Sequence, residues 1–344
     1  MSAALEVIAP GLMTTVQDLG RFGYQRFGLS PAGAVDGLAL QIANALVGNA
    51  PEEAALEMTL QGATLEIAAP AARLAFAGDF ALTIDGRPVA PYRSHLVHRG
   101  EILAVGRAKT GLRGYLAVAG GLALAVELGS RATHLRAGLG GIEGRDLRSG
   151  DRLELRAAAP PAGGERAFAA ADIPERRDLL GVVLGPQDDY FDSAAIADFF
   201  KSTYTVTASA DRMGMRLTGP RIRHARGFDV ISDAVVTGSI QVPGSGEPIL
   251  MLAERQTTGG YPKLATVIGA DLPHAAQARP GTGLRFAPVD LAEAQRARAA
   301  QRAWLARLPQ RLVPADATGW SDADRLLGLN LISGVADAGS DPYF

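Results

Sequence analysis

Between Asp229 and Gly283 the sequence gathers polar side chains that no apolar core requires: Asp233, Gln241, Glu254, Arg255, Gln256, Thr257, Thr258 and Lys263. Gln241 and Gln256 can each donate and accept a hydrogen bond, which fits the amide of a lactam or of urea, although either could equally satisfy a buried backbone edge. Lys263 follows Gly259-Gly260-Tyr261, and an ammonium there can stabilise negative charge developing on a carbonyl or phosphoryl oxygen. Asp233 can orient or deprotonate a nucleophile, or simply cap a turn. Upstream, Arg212 and Arg216 suit a planar carboxylate, which a guanidinium grips bidentately; structural arginines bridging loops are the plainer alternative. The candidates are therefore Asp233, Gln256 and Lys263 for chemistry, with Arg212, Arg216, Gln241, Thr257 and Tyr261 for holding a substrate.

These residues need a rigid frame, and the surrounding pattern supplies strands. Short apolar runs at Ser239–Val242 and Pro248–Ala253 end at turn formers. With 41 glycines and 20 prolines among many such runs, the chain reads as mainly β. Strands are expected at Thr64–Ile67, Arg73–Ala77, Ala81–Ile84, Ile102–Val105, Gly114–Ala119, Leu179–Leu184 and Thr203–Ala208, with Asp85-Gly86 as a hairpin turn. A helix should start after Asp36, whose carboxylate can accept from free N–H groups of the first turn, and stop at Gly48. Two more helices are expected, at Asp188–Phe200 and Asp290–Leu308, the second alanine- and arginine-rich with a solvated face. Gln17, Asp18 and Arg21 form a polar knot that reads as holding a loop by internal hydrogen bonds, with a contact to a partner subunit as the alternative. The glycine-rich run Gly138–Arg145 lacks the Lys-Ser/Thr of a phosphate loop and reads as a mobile β-loop able to cover a cleft. The stretch around 157–174, rich in alanine, proline and glycine, divides the chain. The expected units are 1–157, a linker 158–175, a second domain 176–289, and a C-terminal helix and tail 290–344.

Composition removes several function classes. The chain has 344 residues, 47% hydrophobic and 20% charged, enough for two globular domains. A net charge of −2 argues against nucleic-acid binding. There is no cysteine, so disulfides, thiolate catalysis and cysteine-held metals are excluded. The five histidines form no H-E-x-x-H pair, and no metal site is expected; His95 and His98, three apart, read as a surface pair. The N-terminus has no basic n-region, and the most apolar window, Leu116–Val126, is too short to cross a bilayer. A cytoplasmic location follows as the default expectation.

Three longer motifs resemble a known family. The segments TTVQDLGRFGYQRFGLSPAGAVD, DRMGMRLTGP at 211–220, and VTGSIQVPGSGEPILMLAERQTTGGYPKLATV look like KipA, the family of the 5-oxoprolinase C subunit, also described as biotin-dependent carboxyltransferase or allophanate hydrolase subunit 2. The resemblance spans about residues 5 to 290 and implies two cyclophilin-like β-barrel domains with a few short helices. It also implies work beside a KipI-like partner and a LamB/YcsF-like partner in ATP-dependent cleavage of 5-oxo-L-proline to L-glutamate. In the related domain of urea amidolyase, which carboxylates urea from carboxybiotin, the stretch matching Val230–Asp233 carries an active-site aspartate, so the resemblance nominates Asp233. The three lysines, Lys109, Lys201 and Lys263, lie outside a Met-Lys-Met context and there is no phosphate loop, so neither biotin attachment nor ATP binding is expected of this chain alone. Two other readings stand beside this one: carboxyl transfer to urea or a related amide, and a non-enzymatic regulator that binds a KipI-like kinase inhibitor.

Overall fold

The computed structural model describes residues 3–169 and 172–315. The apolar tail residues from Leu326 to Ile332, expected to dock on the body, lie outside them. The fold is mainly β with a few short helices, as the sequence predicts.

The first half is two facing sheets. One runs Arg152–Glu154, Ala4–Ala9, Thr64–Ile67, Ile102–Ala108, Phe80–Ile84 and Arg87–Val89; the other runs Thr14–Gln17, Ala55–Thr59, Arg113–Val118, Ala71–Ala77 and Ser94–His98. Strand side chains alternate between faces. On Arg113–Val118, Leu116 and Val118 point into the core between the sheets, while Tyr115 and Ala117 point out against the helix α1 (Gly37–Val47). Covered on both sides, this strand is buried along its whole length. The Asp36 carboxylate caps α1 by accepting from the N–H groups of Leu38 and Ala39 at 3.1 and 3.0 Å, and Gly48 ends it in the left-handed region.

The second half closes on itself as a barrel of seven strands: Leu179–Leu184, Lys263–Val267, Ser239–Gln241, Ile249–Met251, Gly214–Thr218, Tyr204–Ala210 and Gly283–Pro288. Helix α2 (Ser193–Lys201) stacks Phe199 on Phe286 with ring centroids 4.9 Å apart. The short helix α3 (Leu272–Ala276) follows the strand Lys263–Val267.

The connection is built in, where the sequence suggested a spacer. Arg73 donates to the carbonyls of Pro161 and Gly163 at 2.6 Å each and meets Glu165 at 3.2 Å. Strand Arg166–Phe168 pairs with Leu312–Pro314. Helix α4 (Leu291–Ala306) begins in a capping box formed by Asp290 and Glu293, and with α5 (Leu308–Arg311) it brings Trp304 and Leu308 against the cluster around α1. The C-terminal segment thus returns to the first half, a contact distant in sequence that no local pattern announces.

The two halves meet over buried charge. Arg212 of the second half donates to Glu254 at 2.7 Å, to the carbonyl of Gly33 at 2.7 Å, and to the carboxylate of Glu57 in the first half. Glu57 also accepts from the Tyr115 hydroxyl at 2.5 Å and the Val35 N–H at 2.9 Å, with Arg113 3.8 Å away. Val35 itself belongs to the second half's core. Gln277 bridges as well, accepting from Leu112 and Arg113 N–H at 2.9 Å and donating to Asp36 at 2.7 Å. Burial works to raise the Glu57 pKa, but Arg212 and Arg113 outweigh it and hold the carboxyl below the ordinary glutamate value.

Two outcomes follow for Arg212 and Glu57. Arg212→Ala strands two buried carboxylates and should destabilise the protein by about 3–5 kcal/mol in denaturant unfolding. Because the folded-state pKa of Glu57 lies below its unfolded one, the stability it contributes is present at neutral pH and is lost as pH falls below the ordinary glutamate range. Glu57→Gln should be less stable at neutral pH and show a flatter acid limb in stability measured against pH.

Candidate functional site

At one end of the barrel, outside it, the chain forms a separate two-stranded ribbon. Asp233–Ala234 pairs with Thr258–Gly259, Asp233 standing opposite Gly259. Within the barrel Gln241 stands opposite Lys263. Lys263 is 3% exposed, and its ammonium donates to Asp233 Oδ2 at 2.6 Å and to the Ala234 carbonyl at 2.9 Å. Gln187 completes the arrangement, donating to Asp233 Oδ2 at 3.0 Å and accepting from the Lys263 N–H at 3.2 Å. The hydrogen bond from Lys263, then those from Gln187 and the Ala234 N–H, hold the Asp233 carboxyl down to about 2. A carboxylate that acidic is a weak base. In this geometry its physical role is to fix Lys263.

Across the ribbon lies a cavity of about 530 Å³, into which Arg216, Gln241, Gln256 and Tyr261 face with Met213 and Met251. Gln256 Nε2 donates to Gln241 Oε1 at 3.1 Å, and Gln241 Nε2 reaches the Tyr261 carbonyl at 3.5 Å. Gln256 Oε1 is buried and has no hydrogen-bond partner among the described residues. Buried acceptors are ordinarily satisfied, and this one is left without a donor there. Gly259 separates the two groups of residues: a Cβ there would stand 2.5 Å from Gln241 Nε2 and 3.1 Å from Val235. The first half also reaches this place, with Arg136 Nη1 3.1 Å from Met213 Sδ.

The predicted residues are therefore divided. Arg216, Gln241, Gln256 and Tyr261 share one cavity, while Asp233 and Lys263 form a pair behind the ribbon. Thr257 contributes its carbonyl to the Val235 N–H and does not line the cavity. Arg212 needs correction as a substrate clamp. It is 3% exposed and each of its three guanidinium nitrogens already bonds a protein oxygen, so it is sealed away from a substrate carboxylate. The glycine-rich run is tied down rather than free to swing: the Gly141 N–H donates to the Arg131 carbonyl at 2.8 Å and Gly144 to Gly140 at 2.8 Å. The Gln17–Asp18–Arg21 knot holds that same region. Arg21, fully buried, donates to the carbonyls of Glu127 and Ala132 at 2.9 Å each, and Asp18 accepts from Ser130 and Arg131.

Two residues escaped the candidate set. Gln187 lies far along the chain and only folding brings it to Asp233. Arg255 is 3% exposed, donates to the Val235 carbonyl at 3.1 Å, and among the described residues no carboxylate faces it. Burial drives its pKa down to about 10. Lys263 and Arg255 thus hold consecutive carbonyls, Ala234 at the end of its strand and Val235 just beyond it. In the sequence Arg255 stands out only as the second of two charged residues that follow the apolar run Ile249–Ala253.

The comparisons agree with this architecture. Residues 27–288 match the family described as carboxyltransferase domain, subdomain A and B. The chain is 40% identical to the C subunit of 5-oxoprolinase from Haemophilus influenzae, over 83% of this chain and 91% of that one. It is 37% identical to the Escherichia coli protein of the same name, over 90% of this chain and 98% of that one. Among solved structures, the Kluyveromyces lactis urea amidolyase superposes with a TM-score of 0.84 at 30% identity, covering 89% of this chain and 20% of that much longer one. The chain belongs to the carboxyltransferase-domain family that includes the C subunit of 5-oxoprolinase.

Lys263→Met removes the main cause of the low Asp233 pKa. Carbon-13 NMR of the labelled carboxyl should show the midpoint rising from about 2 toward an ordinary aspartate value. A midpoint that stays put would mean that Gln187 and the backbone, and not Lys263, set the charge.

Proposed function

We propose that this chain is the carboxyltransferase-fold subunit of an ATP-dependent 5-oxoprolinase, acting with a KipI-like partner and a LamB/YcsF-like partner to open 5-oxo-L-proline to L-glutamate. The observation that carries the reading is similarity over nearly the full length of two proteins named as the C subunit of 5-oxoprolinase. The cavity is consistent with it. A lactam presents one carbonyl and one N–H side by side, and Gln256 Oε1 offers the acceptor for the N–H while the amide groups of Gln241 and Gln256 frame the carbonyl. Arg216, exposed on the same cavity, takes the substrate carboxylate in place of the occupied Arg212.

A lactam carbonyl is a poor electrophile, and ATP bound by the complex supplies the phosphoryl group that activates its oxygen. The chain's own residues then position. Arg255, beside the Lys263–Asp233 ion pair, places buried positive charge beneath the segment 233–235, favouring an anionic substrate and the negative charge that develops as water adds. Asp233 and Gln187 fix Lys263 in place. The ring C–N bond breaks, the nitrogen takes a proton and leaves as the amine of glutamate, and a second water releases the phosphoryl group as inorganic phosphate, leaving ADP as the other product.

A second reading, carboxyl transfer from carboxybiotin to a urea-type amide, is favoured by the superposition on urea amidolyase. Mixing this chain with the KipI-like and LamB/YcsF-like partners, ATP and 5-oxoproline decides between them. Glutamate should form only when all three proteins are present, and the rate should fall by about 10²-fold or more with Lys263→Ala and with Gln256→Ala. Turnover at the wild-type rate with both variants would refute the assigned roles. A mixture that yields no glutamate yet carboxylates urea with carboxybiotin would establish the second reading.

A further inference from the structure

A second hollow, of about 400 Å³, lies between the halves and apart from the glutamine-lined cavity. Its apolar wall is assembled from three places: Leu38 and Ile42 of α1, Ile173 of the connection, and Pro273 of α3. The size suits a small organic molecule. Tyr92 forms another wall, with its backbone at φ 56° in the left-handed region, where a bulky side chain is rare and where strain tends to mark sites that are held for a purpose.

The charged groups on the wall are already engaged. Asp36 accepts from two helix N–H groups and from Gln277, and Asp79 accepts from Thr110 at 2.6 Å. Arg113 donates to the Ala276 carbonyl, and Arg176 pairs with Asp178 at 2.9 Å. Glu175 is exposed and solvated. Two donors are left. Among the described residues nothing bonds the Tyr92 hydroxyl, whose pKa burial raises further, so it stays protonated at neutral pH. His274 accepts from Arg177 at Nε2, at 3.2 Å from Nη2, which assigns its proton to Nδ1. Burial, followed by Arg177, lowers the His274 pKa and keeps the ring neutral.

We propose that this hollow is a second binding site, for an uncharged, largely apolar ring-sized molecule that carries an acceptor oxygen for Tyr92 and His274. Its chemistry is opposite to that proposed for the glutamine-lined cavity, which takes an anion. An occupant would touch α1, the connection and α3 at once, and so bear on how the halves sit together. The proposal does not depend on which reaction the other cavity serves.

Benzamide and benzoate, equal in shape and different in charge, are the probes. Calorimetry and saturation-transfer NMR on the full chain should show millimolar binding of benzamide and weaker binding of benzoate. Tyr92→Phe, which keeps the ring and removes the donor, should weaken benzamide about fivefold. Leu38→Trp, a half-buried position, should fill the hollow and abolish binding while the thermal midpoint shows the fold intact; Leu38→Phe replaces it if the larger side chain is not accepted. Absence of saturable benzamide binding by the wild type, benzoate binding as tightly as benzamide, or binding unchanged in both the folded Leu38 variant and Tyr92→Phe would each overturn the proposal.

Discussion

The molecule depends on how one guanidinium is buried. Arg212 comes from the turn before the strand Gly214–Thr218, yet Glu57, one of its two carboxylate partners, belongs to the other half of the chain. Two carboxylates, Glu57 and Glu254, and two guanidiniums, Arg212 and Arg113, sit together where little water reaches. Such a cluster gains little over a well-packed apolar core, because the desolvation of four charges offsets their attraction. What it does impose is position. A charge left out of register would be stranded in a low-dielectric seam at a cost of several kcal/mol, so the halves are held to one relative placement.

That placement matters to the site. Glu254, Arg255 and Gln256 are consecutive and face different tasks: the first completes the seam, the second places a cation under the ribbon, and the third opens into the cavity. A shift in the seam would move all three. Arg136 of the first half, against Met213 at the cavity wall, sits on the same coupling. The cavity is thus a property of the pair of halves, although its polar side chains come from one barrel.

The ribbon divides labour in a way that side-chain type alone does not reveal. Lysine and aspartate in one motif suggest an acid–base pair. The short contact between them, reinforced by Gln187, instead produces a strongly acidic carboxylate and a fixed ammonium. Lys263 and Asp233 are thus spent on each other, while the two glutamines are the amides that line the cavity. Gly259 allows this closeness, since a side chain there would collide with the amide of Gln241.

Much was legible from local pattern. The helix between Asp36 and Gly48, the strands at Thr64–Ile67 and Leu179–Leu184, the helix that follows Asp290 and the gathering of Gln241, Gln256 and Tyr261 all follow from alternation, turn chemistry and short sequence separation, which act within a few residues of each other. The family motifs carried the class of protein. Tertiary structure alone decided that Arg212 is sealed between Glu57 and Glu254, that Arg255 is buried with no carboxylate against it among the described residues, that Gln187 holds Asp233, and that the supposed linker pairs with a segment near residue 313. Each of these joins residues distant along the chain or depends on which groups are removed from water. Charge and hydrogen-bonding capacity are written in the residue type, but whether a guanidinium is free for a ligand is settled only by what else folding has placed against it.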